Sequence, residues 1–446
     1  MDIFSLLLPK YTIDNNKKIR LISLFSGYDS QKLAFNYIGV DVEHYRTIEF
    51  DKYAMQSLNE IHNTNFETKD ITKVSADELG IVDTKDYTYI LTYSFPCTDL
   101  SLAGKRAGMD RDSGTRSGLL WEVERLLKET KEKPQILIME NVPQVLSAKG
   151  WREWNVFLEK LGYSNYAQVL NAKDFGIPQN RERCFMVSIL GDYSYQFPKP
   201  FKLKDRLKDF LENDVDEKYY LSEKMIEGMS KTKFESYKLE NKIKDINGVA
   251  DTILARFDGC PQCVEVKKEN MKTKLCNYLI ENGVVKENYV INHSYTNGLT
   301  GKNPNSRQTL EDYIETTDNS SPCLTTRPDT LGVVVYDDYN HQVRKDQETI
   351  GTITTNIGNN APRNGYKLIE ISHNLRIRKL TPLECFKLMG VKPSDYNKIT
   401  CSNAQKYKQA GNSIVTTCLM AIYSQLFENC DYKYYIEELL KELRTN

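Results

Sequence analysis

Residues 135–142 read Gln-Ile-Leu-Ile-Met-Glu-Asn-Val. The apolar run Ile136 to Met139 lacks the alternation of a half-exposed strand, as expected of a strand buried on both faces of a sheet. Directly upstream, Leu119, Leu120, Val123, Leu126 and Leu127 fall on one helical face. Further upstream, Tyr87 to Phe95 reads as a strand closed by Pro96, and Arg20 to Phe25 and Tyr45 to Phe50 as two more. Helical patterns at Gln31 to Ile38 and Lys52 to Ile61 follow those two strands, and Cys184 to Leu190 is strand-like. Repeated strand–helix units predict an α/β body with a parallel, doubly wound sheet. Ligands of such sheets sit beyond the carboxyl ends of the strands, which directs attention to Phe25–Gly27, Glu49, Pro96–Cys97 and Glu140–Asn141.

The alternation stops near residue 195. Lys- and Asp-rich segments follow, then short β-like pieces at Asp251-Thr-Ile, Pro322-Cys-Leu-Thr-Thr-Arg and Gly351-Thr-Ile-Thr-Thr, which could be a degenerate repeat. From 376 the helical pattern returns, with Thr381-Pro-Leu-Glu384 as a capping box and Gly390 as a helix stop. The chain therefore divides into residues 1–194, an insertion at 195–372, and a return at 373–446. The 446 residues are 40% hydrophobic and 27% charged with a net charge of −1, which speaks against a non-specific basic nucleic-acid binder but not against a local basic face. No apolar run approaches a membrane span, and Ile3 to Leu8 is too short for a signal-peptide core. Ten scattered cysteines fit a reducing compartment. Cys260-Pro-Gln-Cys263, with Cys276 and His293, is a weak zinc pattern because no second pair follows, and no metal is expected.

Four short stretches carry chemistry-bearing side chains: Phe95-Pro-Cys-Thr-Asp-Leu-Ser101, Met139-Glu-Asn-Val142, Gln179-Asn-Arg-Glu-Arg183 and Gln409-Ala-Gly-Asn-Ser-Ile-Val415. Each alone has a bland reading: a buried structural cysteine, a strand cap, a solvated ion pair, a helix start. Together with Leu24–Gln31 and Arg378–Gly390, in this order and spacing, they resemble the DNA (cytosine-5)-methyltransferases of bacterial and phage type. The resemblance covers about residues 18–192 and 374–425.

The resemblance implies a Rossmann-like, S-adenosylmethionine-dependent methyltransferase body with an inserted, mainly irregular or β target recognition domain. It implies a cytoplasmic, monomeric enzyme acting on double-stranded DNA in restriction-modification or phage self-protection. A tRNA cytosine-5 methyltransferase and a degenerate, non-enzymatic DNA-binding body are the rival readings. Cys97 would be the nucleophile, Glu140 the acid at N3 of the base and Arg183 the group on O2. Arg181 would hold backbone, and Asn141 would fix the Pro-Cys turn. Phe25, Ser26, Gly27, Glu49, Phe50, Asp70, Ile71, Pro96, Asn412 and Ser413 would bind the cofactor; Asp70 also reads as a helix cap. The loop with Ser101, Lys105 and Arg106 would meet DNA. Three residues depart from the family pattern: Asp29 and Ser30 stand where glycines are common, and Thr98 where glutamine is. Asp29 reads either as a cap on the following helix or as an acid opposing the cofactor carboxylate.

Overall fold

The computed structural model describes residues 8–96, 109, 116–232, 237–255, 261–267, 336–337, 342–343, 366–367 and 375–444. The chain forms two compact units, one of residues 1–265 and 377–446 and the other of residues 266–376. Of the second unit, the described part contains three two-residue strands, Tyr336–Asp337, Gln342–Val343 and Tyr366–Lys367, paired antiparallel about the first.

The first unit is built on one six-stranded sheet. Its strands are β1 (Lys18–Leu24), β2 (Glu43–Ile48), β3 (Tyr87–Tyr93), β4 (Ile136–Asn141), β5 (Tyr163–Asn171) and β6 (Glu182–Leu190). The spatial order is β2-β1-β3-β4-β6-β5. β1 pairs parallel with both β2 and β3, and β3 pairs parallel with β4. The expected α/β body is thus present, but the sheet is mixed: β6 runs antiparallel to both β4 and β5. The reason is local. Between β5 and β6 the chain forms only the short turn Ala172–Phe175 and the two-residue strand Gln179–Asn180, and without a crossover helix the chain must return antiparallel.

Helices α1 (Ser30–Tyr37) and α2 (Lys52–His62) follow β1 and β2. α3 (Leu120–Glu129) precedes β4, and α4 (Gly150–Lys160) links β4 to β5. β4 is buried along its whole length. Below it the core gathers Leu91, Leu137, Met139, Trp154 and Met186, and the Trp154 indole donates to the Tyr93 hydroxyl at 3.0 Å.

The returning chain enters through strand Leu375–Lys379 and α5 (Pro382–Lys387), then α6 (Asn403–Asn412), α7 (Thr416–Ser424) and α8 (Tyr432–Arg444). The capping box is formed as expected: Thr381 Oγ1 accepts from the Glu384 amide at 3.1 Å and Glu384 Oε2 accepts from the Thr381 amide at 2.8 Å. α7 is buried at every residue. It packs on α1, where Phe35 and Tyr423 stack with ring centroids 4.0 Å apart. Among the described residues, no helix is long and apolar enough to cross a membrane.

Candidate active site

Beyond the carboxyl ends of β1 to β4 lies a cleft of about 970 Å³. It is lined by the turn after β1, the end of β2, the chain after β3, the end of β4, and α6 with its C-terminal turn. Phe25, Ser26, Gly27, Glu49, Phe50, Asp70, Ile71, Pro96, Glu140, Asn141, Arg181, Arg183, Asn412 and Ser413 all reach its wall. Cys97, Thr98, Ser101, Lys105 and Arg106 lie outside the described residues, as do Cys260, Cys276 and His293. Cys263 is buried at the start of a strand.

The turn after β1 has an unusual backbone. Phe25, Gly27 and Asp29 all take left-handed conformations, with φ of 57°, 58° and 60°. Glycine adopts this region without cost, whereas a phenylalanine there stores strain of the kind found at functional sites. Glu49 holds the turn in shape: its carboxylate accepts the Gly27 amide at 2.8 Å and the Asp51 amide at 2.7 Å. Burial raises the pKa of Glu49 despite these two donors. Next to it, Phe50 is 76% exposed, an aromatic face left uncovered on the cleft. Asp70 accepts from the Thr72 amide at 3.1 Å and its hydroxyl at 2.8 Å, so it caps the following turn while lining the cleft.

Asp29 turns away from the cleft. Its carboxylate is fully buried, caps α1 through the Lys32 amide, accepts from Ser23 Oγ at 3.1 Å, and lies 2.8 Å from His44 Nε2. Burial opposes its charge, but the His44 bond, the two imidazoles of His44 and His62, and Ser23 outweigh it and hold the carboxyl below its ordinary value. Of the two readings of Asp29, the cap is the one observed.

Glu140 and Asn141 end β4. The Asn141 amide donates to the Phe95 carbonyl at 2.9 Å, and its oxygen accepts the Val142 amide at 2.8 Å. The segment leading into Pro96 is thereby pinned to β4. Ser117 Oγ adds a second tie by donating to the Pro96 carbonyl at 2.8 Å. Glu140 Oε1 is 3.1 Å from Arg183 Nε. Burial drives the Glu140 pKa upward, and the charges of Arg183 and Arg181 offset this only in part.

Arg181, 3% exposed, is occupied by backbone: it donates to the carbonyls of Ile253 at 3.0 Å, Gly411 at 3.1 Å and Ser413 at 2.7 Å. Gln179 completes this junction, accepting from the Ile253 amide and donating to the Leu388 carbonyl at 2.7 Å. Gly411 is required by close approach, since a Cβ there would sit 2.1 Å from the Ala255 amide nitrogen. Sequence reasoning quoted Gln179 but gave it no role, and missed Tyr28, whose hydroxyl donates to Ser413 Oγ at 2.9 Å. The Gln179–Leu388 and Tyr28–Ser413 contacts join segments 209 and 385 residues apart, which no local pattern signals.

The sheet and its cleft define an α/β enzyme of the Rossmann type, with a buried acid paired to a partly buried arginine next to the residue that anchors Phe95. The chain belongs to the C-5 cytosine-specific DNA methylases, a family that matches residues 19–428. It is 29% identical to the orphan methyltransferase M.SPRI of Bacillus phage SPR, over 92% of this chain and 97% of that protein. It is 45% identical to the orphan methyltransferase M.SssI of Spiroplasma monobiae over 162 residues, 34% of this chain and 42% of that one. A methyltransferase of Entamoeba histolytica shares the fold, with a TM-score of 0.58 and 14% identity over 93% of this chain and 99% of that one.

Proposed function

We propose that this DNA cytosine-5 methyltransferase acts at a specific sequence in duplex DNA, taking its methyl group from S-adenosylmethionine and attacking an extruded cytosine through Cys97. The observation that carries the reading is the buried Glu140 carboxyl paired with Arg183, one residue from the Asn141 amide that anchors the Phe95 carbonyl just before Pro96. A stacked base presents neither C5 nor C6 for such attack, so the nucleotide must leave the duplex. C5 of cytosine is a poor nucleophile. Addition of the Cys97 thiolate to C6 makes C5 enamine-like, and Glu140 relieves the charge by sharing its proton with N3. Arg183 holds O2 of the base and orients Glu140. Loss of the C5 proton then expels Cys97.

The cleft suits the cofactor. Glu49 would take the ribose hydroxyls, as an acid ending the second strand of such sheets does. Phe50 would cover the adenine, Asp70 and Ile71 would meet its amino edge, and Phe25, Ser26, Gly27, Pro96, Asn412 and Ser413 would hold the remainder. S-adenosylmethionine would supply the electrophilic methyl group that C5 accepts. The insertion 195–372 would read the target, Ser101, Lys105 and Arg106 would meet the DNA, and residues 1–194 and 373–446 would carry the chemistry. The protein would work as a cytoplasmic monomer in a bacterial or phage setting, marking DNA for restriction-modification or phage self-protection.

The test is transfer of labelled methyl from S-adenosylmethionine to duplex DNA and, separately, to tRNA, with methylation-sensitive sequencing of the product. Label at one sequence context in DNA, abolished by Cys97→Ala, is expected. Label on tRNA alone would overturn the substrate.

A further inference from the structure

Ser94 was given no role by its sequence position, yet the sheet puts it beside the acid of the site. β3 and β4 are parallel neighbours, and their ladder ends with Tyr93 opposite Met139. Two residues beyond, the Asn141 amide grips the Phe95 carbonyl at 2.9 Å. Ser94 and Glu140 are bracketed between these two ties. Adjacent positions on parallel strands project to the same side, and both residues line the cleft.

The Ser94 hydroxyl is buried and forms no hydrogen bond of full geometry with any described group. Its influence falls on Glu140, whose charged form it favours. A buried hydroxyl that faces a carboxyl without a fully formed hydrogen bond costs stability, so such a group calls for an account of when that bond is made.

We infer that Ser94 is a positioning residue for Glu140, its hydroxyl set to donate to the carboxylate once Glu140 has passed its proton to the base. Ser94 keeps its own proton throughout; only the hydrogen bond forms. Arg183 already engages Oε1, so a donor from the residue just past β3 holds the carboxylate from a second direction and fixes its plane. The inference deepens the reading of Glu140 as the acid at N3 and rests on it. The other groups bearing on this carboxyl are Arg183 and Arg181, and the thiols of Cys184 and Cys418. Burial pushes Cys184 up to about 12 and Cys418 upward as well, so both stay neutral.

The test follows the Glu140 carboxyl itself, in protein labelled with carboxyl-13C glutamate and in a Cys97→Ala background, so that this thiol adds no titration. The Glu140 signal is the one missing from Glu140→Gln. Ser94→Ala should move its titration midpoint up by about one pH unit, the effect of removing one donor to a charged group. With Cys97 restored, the alkaline limb of turnover should move the same way. Ser94→Gly removes the hydroxyl by a second route and should agree, and it decides the matter if the alanine variant does not fold. An unmoved midpoint, or a lower one, overturns the inference. A raised midpoint in a protein that methylates no DNA leaves the Ser94–Glu140 relation standing and sinks the proposed reaction instead.

Discussion

Glu140 and Asp29 are both buried carboxyls, and their surroundings send them in opposite directions. Around Glu140 the cost of burial exceeds what Arg183 and Arg181 return, so the proton is held more tightly. Around Asp29, His44, His62 and Ser23 outweigh burial and the charge is kept. An acid that must share a proton with a ring nitrogen needs the first environment, and a buried helix cap tolerates the second. Glu140→Gln should therefore slow methyl transfer roughly 10²–10⁴-fold while DNA binding, read by gel shift, stays near normal. His62 gives a separate pH signature. Burial pushes its imidazole down to about 4, with the nearby Asp29 charge opposing. In the unfolded chain it takes a proton near pH 6.5, so between there and about 4 the unfolded state binds more protons. The stability of the neutral, buried ring is complete above pH 6.5 and is lost as the pH falls toward 4, by up to about 3 kcal/mol. His62→Gln should flatten that fall when urea midpoints at pH 7.5 and pH 5 are compared. The candidate acid was legible in the sequence because it ends an uninterrupted apolar strand. The fate of Asp29 was not, because its partner His44 lies on β2, and only the sheet brings the two side chains together.

The elements read best from sequence were those whose signal is local. The capping box before α5 spans four residues, and the buried run of β4 needs no partner to be recognised. What closes around α5 is less local. Arg378, on the strand before it, meets both carboxylate oxygens of Glu384 at 2.7 and 2.8 Å, and the Glu212 amide donates to the same carboxylate at 2.7 Å. Both side chains are essentially without solvent. Glu384→Gln removes the charge paired with a buried guanidinium and leaves only the more distant Glu212 to offset it. The expected loss is about 3–5 kcal/mol, measured as a lower denaturant midpoint with an unchanged slope. The direction of β6 was also beyond a local reading. Its apolar run Cys184 to Leu190 looks like that of a parallel strand, since burial on both faces leaves the same pattern whichever way a strand runs.

At the scale of the molecule, the chain beyond β6 clasps the rest of its own unit. Ile253 is bound through both its amide and its carbonyl by Gln179 and Arg181, and Ala255 lies against Gly411. Exchange of residues 195–372 with those of a relative should transfer the methylated sequence, as read by methylation-sensitive sequencing, if sequence choice resides there. Continued methylation of the recipient's own site would refute that division. The donor segment must bring its backbone as close to Gly411 as Leu254 and Ala255 come, or the junction will open. The return of the chain has a further consequence, for the protein as it is being made. α1 stacks Phe35 on Tyr423, and the Tyr28 hydroxyl waits for Ser413, 385 residues further along. At ribosomal speeds of roughly 5–20 residues per second, the partner of α1 emerges on the order of 20–80 s after α1 itself. For that interval the nascent body carries an uncovered apolar face beneath a half-built cleft, and the cleft is completed only once residues 413–423 have been made.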